Sequence, residues 1–287
     1  MSLLSANLSA FMAVVRAGTV HGAATDLHLT QTGVTQRIRA IERELGTTLF
    51  LRSRKGMKLT QEGEALFRYC KGAEDLEGEV LSQISGAAQK SAIVVNISGP
   101  TSVMTARIVE QCIPLYFEWP QLQLNFIISD AADRISQVRS GLASLAIVPP
   151  EFVPNEMDSK KMKPDKYVLV ASPKWKGRRL VDILEHERII DFDEGDPTTL
   201  NYLKKFSLVS QVKRPRLFVN NNEAIIKLFH RGVGFGTLTQ EIAKPLLDAG
   251  DLVLLNGGSI MEDPLALVWY PRSEMPSYFR AIVSSIG

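Results

Sequence analysis

The stretch that decides the fold runs from Thr19 to Gly46. It reads Thr19-Val20-His21-Gly22-Ala23-Ala24-Thr25-Asp26-Leu27-His28-Leu29-Thr30-Gln31-Thr32-Gly33-Val34-Thr35-Gln36-Arg37-Ile38-Arg39-Ala40-Ile41-Glu42-Arg43-Glu44-Leu45-Gly46. Thr19 can cap a short helix, Val20 to Leu27, with Ala23, Ala24 and Leu27 facing inward. A break falls at His28–Leu29. Thr30 can then cap a longer helix reaching about Leu45. Val34, Ile38, Ile41 and Leu45 share one face of it, and Thr32, Thr35, Gln36 and Arg39 share another. Gly46 ends it in the position where a left-handed residue closes a helix. Two helices, a tight break and a polar, basic outer face describe a helix-turn-helix.

The flanks agree. Upstream, Leu8, Phe11, Met12 and Val15 form one stripe of a helix from Leu8 to Ala17, stopped by Gly18. Downstream, Leu49-Phe50-Leu51 and Met57-Lys58-Leu59 read as two short strands around Arg52-Ser53-Arg54-Lys55-Gly56, a basic wing. Thr60, followed by Glu62 and Glu64, starts a long helix to about Ala88. Leu66, Tyr69, Cys70, Ala73, Leu76, Val80, Leu81 and Ile84 stripe it. Such a helix between two domains pairs with a copy of itself or packs on its own domain; pairing is the favoured reading.

From Ser91 the texture changes. Strands at Ile93–Ile97, Leu122–Ile128, Leu145–Val148, Lys166–Ala171, Arg188–Phe192, Leu217–Val219, Leu252–Leu255 and Leu265–Tyr270 alternate with helices. Those helices span Ser102–Phe117, Ala132–Gly141, Asn222–Arg231 and Ser277–Ile286. This alternation predicts a mostly parallel α/β sheet. Gly232-Val233-Gly234-Phe235-Gly236 follows a helix rather than a first strand, so it reads as a turn and not a nucleotide loop.

The chain has 287 residues, 45% hydrophobic and 22% charged, as in a globular protein of two domains. Its net charge of +2 hides an asymmetry. Between Gln31 and Lys58 stand Arg37, Arg39, Arg43, Arg52, Arg54, Lys55 and Lys58 against Glu42 and Glu44, a surplus of five positive charges. The rest of the chain is therefore at −3. A basic patch on an acidic body is the footprint of a nucleic-acid site, although a solvated basic face would carry the same charge. Cys70 and Cys112 stand apart with no CxxC pair, which fits a reducing compartment. No leader pattern precedes the first helix, and no apolar run approaches the roughly 18 residues of a membrane span. A cytoplasmic protein without membrane contact is expected. His21, His28, His186 and His230 are scattered without metal-ligand spacing, and no catalytic motif appears, so neither enzyme activity, metal nor cofactor is expected.

The run Ala23-Ala24-x2-Leu27-x2-Thr30-Gln31-x2-Val34-x3-Ile38-x2-Ile41-Glu42-x2-Leu45-Gly46-x2-Leu49-Phe50-x-Arg52, continued by Leu59-Thr60-x2-Gly63, resembles the helix-turn-helix signature of the LysR-type transcriptional regulators. The resemblance implies a winged helix-turn-helix over residues 1–60, a linker helix over 61–90 and an effector domain over 91–287. The effector domain would resemble a periplasmic-binding-protein fold of two α/β subdomains around a cleft. Subdomain I would hold about 91–163 and 266–287, and subdomain II about 164–265, with crossings near Met162–Tyr167 and Asp263–Leu267. It further implies double-stranded operator DNA, a small-molecule effector and a homodimer or homotetramer through the linker helix. RNA polymerase stands as a further candidate partner. Gln36-Arg37-Ile38, Val95-Asn96, Asp130 and Ile190-Asp191-Phe192-Asp193 are similar to the lysine- and arginine-responsive branch of that family.

The candidate DNA contacts are Gln31, Thr32, Thr35, Gln36, Arg37 and Arg39 on the third helix, and Arg52, Arg54, Lys55 and Lys58 on the wing. The wing cations would meet phosphates or the minor groove. Arg39 or Arg37 could read guanine, and Gln31 or Gln36 could read adenine, in the major groove. Arg43 is expected to be structural. The candidate effector contacts follow from the rule that ligands bind at strand carboxyl ends beside helix N-termini. They are Ser98, Pro100, Thr101, Ser102, Asp130 and Pro149, then Asp191, Asp193, Asn221 and Asn222. Thr101 and Ser102 would bind a carboxylate or serve as a plain cap. The acids would receive an ammonium or lie as surface loops. An architectural DNA binder without an effector, and a solute-binding protein without DNA, remain the alternatives.

Overall fold

A computed structural model describes residues 4–53, 56–85, 93–128, 133–272 and 275–287. The chain begins with α1 (Ala6–Ala17), α2 (Val20–Asp26) and α3 (Gln31–Leu45). Each starts where a hydroxyl can accept a backbone N–H. Ser5 caps α1 from Leu8, Thr19 caps α2 from Gly22, and Thr30 caps α3 from Gly33. Gly18 and Gly46 close α1 and α3 with φ of 67° and 65°. Between α2 and α3 the chain turns through His28, at φ 53°.

The wing is β1 (Phe50–Ser53) paired antiparallel with β2 (Gly56–Leu59), Phe50 opposite Leu59 and Ser53 opposite Gly56. Met57 N–H donates to the Gly18 carbonyl at 2.8 Å, so the wing is pinned to the turn after α1. Gly56 has φ 118°, and a Cβ there would strike that same carbonyl. The linker helix α4 (Gln61–Ser85) follows, capped by Thr60. Phe11, Met12, Val14, Ala23, Val34, Ile38, Ile41, Leu49 and Phe50 share one core, and α4 completes it with Phe67 and Cys70. Burying one such phenylalanine is worth roughly 1.5–3 kcal/mol.

The α/β part opens with β3 (Ile93–Gly99), α5 (Thr101–Val103), a π-turn (Met104–Ile108) and α6 (Val109–Glu118). Then come β4 (Leu122–Ile128), α7 (Arg134–Arg139), β5 (Leu145–Val148) and β6 (Asp158–Ala171). β3 is parallel to β4 along its length, Ile93 opposite Leu122 and Gly99 opposite Ile128, and parallel to β5. The first compact unit holds Met1–Lys161 and Ala266–Gly287, and the second holds Met162–Leu265, so the chain changes unit within strands.

The second unit contains α8 (Leu180–His186), β7 (Arg188–Asp191), α9 (Thr198–Lys205), β8 (Leu217–Phe218) and α10 (Asn222–Arg231). β9 (Gly234–Thr239), α11 (Gln240–Asp248) and β10 (Val253–Leu254) complete it. β7 lies parallel between β8 and β9, while β6 pairs antiparallel with β9 and β10. β11 (Ile260–Trp269) then returns the chain to the first unit and pairs antiparallel with β5, and α12 (Ser277–Ser285) ends it.

The sheet is therefore mixed, its parallel runs flanked by antiparallel crossing strands. β6 begins at Asp158, well before Lys166, and its outer half (Asp158-Ser-Lys-Lys-Met-Lys) escapes the sequence pattern because it is mostly solvent-facing and carries no apolar run. α8, α9 and α11 escape the periodicity because they are 7, 8 and 9 residues long, and α11 carries Pro245. No helix among the described residues is long and apolar enough to cross a membrane.

Within the first unit, α4 is locked to the α/β part. The Phe67 ring lies where a Cβ on Gly141 would be, and Gly141 has φ 71°. Arg68 donates to the Arg139 carbonyl at 2.9 Å and stacks 4.3 Å from the centre of the Tyr270 ring. Arg139 in turn pairs with Glu156 at 2.7 Å.

Candidate DNA interface and effector site

On α3 the inward positions 34, 38 and 41 are buried. Helical rotation then places Thr32, Gln36, Arg39 and Arg43 on the opposite ridge, with Gln31 and Thr35 on its flank. Gln31, Thr32, Gln36 and Arg39 are exposed, and Thr35 is half-buried. Arg37 lies on the other flank of the helix, where its guanidinium donates to the Ala6 carbonyl at 3.3 Å. It braces α3 against the start of α1, away from the ridge. Arg43 reaches back to the Arg39 carbonyl at 3.4 Å. Glu42 holds the entry to the wing, accepting from Leu49 N–H at 2.9 Å. Lys58 is exposed on β2, opposite Leu51. Arg52 lies in β1, but its side chain is outside the described residues, as are Arg54 and Lys55.

One residue the sequence reading passed over touches the ridge. His21, exposed on α2, has its Nδ1 3.1 Å from Gln31 Nε2. Only the fold brings these two together, across the turn at His28.

The linker stripe divides in two. Cys70 turns into the head together with Phe67, which the stripe does not include, while Tyr69 and Leu76 stay 64% and 44% exposed. They line a cavity of about 520 Å³ with Ala73, Val138, Tyr270 and Pro276. The side chains of Val80, Leu81 and Ile84 fall outside the described residues. Burial pushes the Cys70 thiol up to about 11, with Glu74 adding to it, and burial alone does the same to Cys112.

In the first unit the carboxyl ends of β3 and β5 hold Ser98 and Pro149; Asp130, after β4, is outside the described residues. Ser98 is fully buried, and its hydroxyl has no hydrogen-bond partner among the described residues. Pro100 occupies the N-cap of α5 without a side-chain cap, and Thr101 and Ser102 open the helix, half-exposed. The first-turn N–H groups of a helix have no intrahelical acceptor. The π-turn that follows bonds Val109 N–H to the Met104 carbonyl, a local widening that recurs at binding sites. The strand end thus offers an unpartnered buried hydroxyl beside a helix start, an arrangement suited to a carboxylate.

The second unit is organised differently. Asp191, 3% exposed at the end of β7, accepts from Arg216 Nε at 2.6 Å. Arg216 also donates to the carbonyls of Asp196 at 2.5 Å, Glu194 at 3.4 Å and Asp193 at 3.5 Å. Burial pushes the Asp191 carboxyl up from its ordinary range, the neighbouring Asp196 adds to this, and Thr199 and Arg216 pull it back. Asp196 accepts from Phe192 N–H and from Thr198 N–H and Oγ1. Asp191 is therefore the anchor of a clamped loop over 192–197, and its carboxylate already has partners. Asp193 is exposed on that loop. Asn221 caps α10, its Oδ1 accepting from Ala224 N–H at 2.9 Å, and Asn222 is the first helical residue. Thr239, buried at the end of β9, has an unpartnered hydroxyl among the described residues. Neither Arg216 nor Thr239 stands out in the sequence, because their roles arise from strands far apart along the chain.

Comparison with known proteins agrees across the chain. Residues 6–64 match the bacterial regulatory helix-turn-helix protein model of the lysR family, and residues 91–287 match the LysR substrate binding domain. The transcriptional regulator YusT of Bacillus subtilis is 36% identical over 121 residues, 42% of this chain and 41% of YusT. In fold, the chain is like ArgP from Mycobacterium tuberculosis, with a TM-score of 0.82 at 22% identity over 99% of this chain and 96% of ArgP. It is also like full-length LysG from Corynebacterium glutamicum with bound effector Arg, with a TM-score of 0.77 at 20% identity over 98% and 95% of the two chains. The two models cover the helix-turn-helix head and the α/β domain in turn, and the chain belongs to the LysR family of transcriptional regulators, not to a family of enzymes.

Proposed function

We propose that this regulator binds its operator as a homodimer or homotetramer in the cytoplasm, and that a free amino acid, most simply lysine or arginine, is its effector. Gln31, Thr32, Thr35, Gln36 and Arg39 read bases, and the wing cations Arg52, Arg54, Lys55 and Lys58 hold phosphates. Arg37 supports α3 rather than reading it. The exposed apolar face at Tyr69, Ala73 and Leu76 seats the second copy, and a contact with RNA polymerase would act from the assembled operator complex.

The observation that carries the effector reading is Ser98. A hydroxyl buried without a partner is costly unless a ligand supplies one. Within the first unit, Ser98, Thr101, Ser102 and the backbone after Pro100, with Pro149 at the end of the neighbouring strand, bind the carboxylate. In the second unit, taken by itself, Asp193 and Asn221 are exposed and Asn222 opens α10, while Asp191 acts through its clamp. The basic amino acid bound to the similarly folded LysG supports the choice of ligand.

The test is calorimetric titration of the full chain with lysine, arginine and leucine, beside DNA binding to its own upstream intergenic fragment. Lysine or arginine binds, leucine does not, and Ser98→Ala weakens binding about tenfold or more, the loss of a hydrogen bond to a charged group. DNA binding that ignores all three amino acids would sink the effector identity. Equal affinity for a scrambled fragment would favour the architectural reading.

A further inference from the structure

The ridge of α3 carries a glutamine whose amide is not left to choose its own orientation. Gln31 is the first residue of α3 and His21 the second of α2, and both are exposed. Their backbones are held from below. Thr19 accepts from Gly22 N–H at 3.1 Å, and Thr30 accepts from Gly33 N–H at 3.0 Å. The tight turn between the helices closes through Leu29 N–H on the Ala24 carbonyl at 2.9 Å. From these fixed starts the two side chains meet, Gln31 Nε2 lying 3.1 Å from His21 Nδ1.

As placed, the Gln31 amide nitrogen faces the ring, and a primary amide nitrogen only donates, so in this arrangement His21 Nδ1 is the acceptor. The Gln31 amide begins with two N–H donors and one carbonyl oxygen. One N–H goes to His21. What remains is one N–H and one Oε1, side by side. An adenine edge in the major groove presents one acceptor, N7, and one donor, the N6 amino group. The remaining pair of Gln31 groups matches it, and none of its polar groups is left over.

We infer that His21, in the tautomer whose Nδ1 accepts, is a positioning residue for base recognition: it takes one N–H of the Gln31 amide and leaves the other N–H and Oε1 turned to adenine. This rests on the reading of Gln31 as a base contact, and deepens it. An unheld glutamine presents either end of its amide and so tolerates several bases. Holding it in advance converts that tolerance into discrimination, because the ordering is already done before DNA arrives.

The experiment uses the full chain and a DNA site selected by the wild type from a random pool. Each base pair of that site is then exchanged in turn, and affinity is read by fluorescence anisotropy for wild type, Gln31→Ala, His21→Ala and the double variant. Gln31→Ala identifies the position it reads, as the one where discrimination is lost. At that position the wild type prefers adenine by about 5- to 100-fold, the range of a bidentate contact. His21→Ala reduces this preference to within about threefold of Gln31→Ala, leaves the other positions as they were, and adds nothing in the double variant. His21→Asn, which keeps an acceptor near the same place, restores part of the preference, and thermal melting checks that each variant folds.

A uniform loss of affinity in His21→Ala, with the adenine preference intact, would overturn the inference and make His21 a phosphate contact. A His21→Ala variant that changes nothing also overturns the inference, with His21 then taking no part in binding. If Gln31→Ala alters discrimination at no position, the base-contact reading itself fails, and this outcome is distinct from the other two.

Discussion

The ridge of α3 and the strand ends of the second unit are both polar, yet they are built in opposite ways. On α3 the polar groups are displayed outward from a helix whose inner face is buried against a shared core, and each reaches its place through helical spacing alone. At the end of β7 the polar groups turn inward. Asp191, Arg216, Asp196, Thr198 and Thr199 satisfy one another, drawn from β7, the loop after it, α9 and the approach to β8, and separated by as many as 25 residues. The difference fits the two kinds of partner proposed for this chain. A partner as large as DNA is met by a convex edge that keeps its hydrogen-bonding capacity open. A small molecule is met by a pre-set frame that hides most of its polarity and exposes a few groups.

Breaking the inward frame has the largest expected effect. Arg216→Met leaves Asp191 buried beside Asp196 without its cation, and should destabilise the second unit by about 3–5 kcal/mol. Denaturant unfolding measures it. Adding Asp191→Asn should recover a good part of that loss. Equal stability of the single variant and wild type would show that the clamp is ornamental. The outward ridge should respond differently. Arg39→Ala is expected to weaken cognate binding by about 1–3 kcal/mol at unchanged melting temperature. Arg37→Ala, whose side chain holds the Ala6 carbonyl, should change affinity by less than about threefold. Anisotropy at two salt concentrations separates them, and a larger loss from Arg37 would place it back among the DNA contacts. The smallest effect belongs to Ser98. With no partner among the described residues, Ser98→Ala should alter thermal stability by within about 0.5 kcal/mol, since removing an unpaired buried hydroxyl is nearly neutral.

The same contrast explains how much the sequence told. The helix-turn-helix is local. Its caps at Thr19 and Thr30, its glycine stops and its apolar spacing all lie within a few residues of what they control, and the observed helices begin and end within two residues of those signals. The positions of strands in the effector domain are also legible, because β4 alternates apolar and polar residues and β5 is a short apolar run, and both appear where they are expected. Charged strands and short helices are not legible in this way. Nor is the fate of a polar side chain near a strand end. Asp191 looks like a ligand contact by position and is a structural anchor by contact, because the deciding partner, Arg216, arrives from the approach to β8. The stripe on α4 looks single by spacing and divides in the fold, because the head has a gap that Phe67 and Cys70 fill.

That last feature bears on how such regulators diversify. Phe67 and Cys70 belong to the core of the reading head, although they sit in the linker, and Phe67 also rests on Gly141 of the effector part. Recombination at residue 60 would set Phe67 and Cys70 against a foreign head. A crossover after Leu76 would keep the head whole and set Phe67 and Arg68 against a foreign surface in place of Gly141 and Tyr270. No cut through this helix is neutral. Heads and sensors joined in this way are expected to drift together within a lineage, and a working hybrid needs matched replacements on both sides of one aromatic ring.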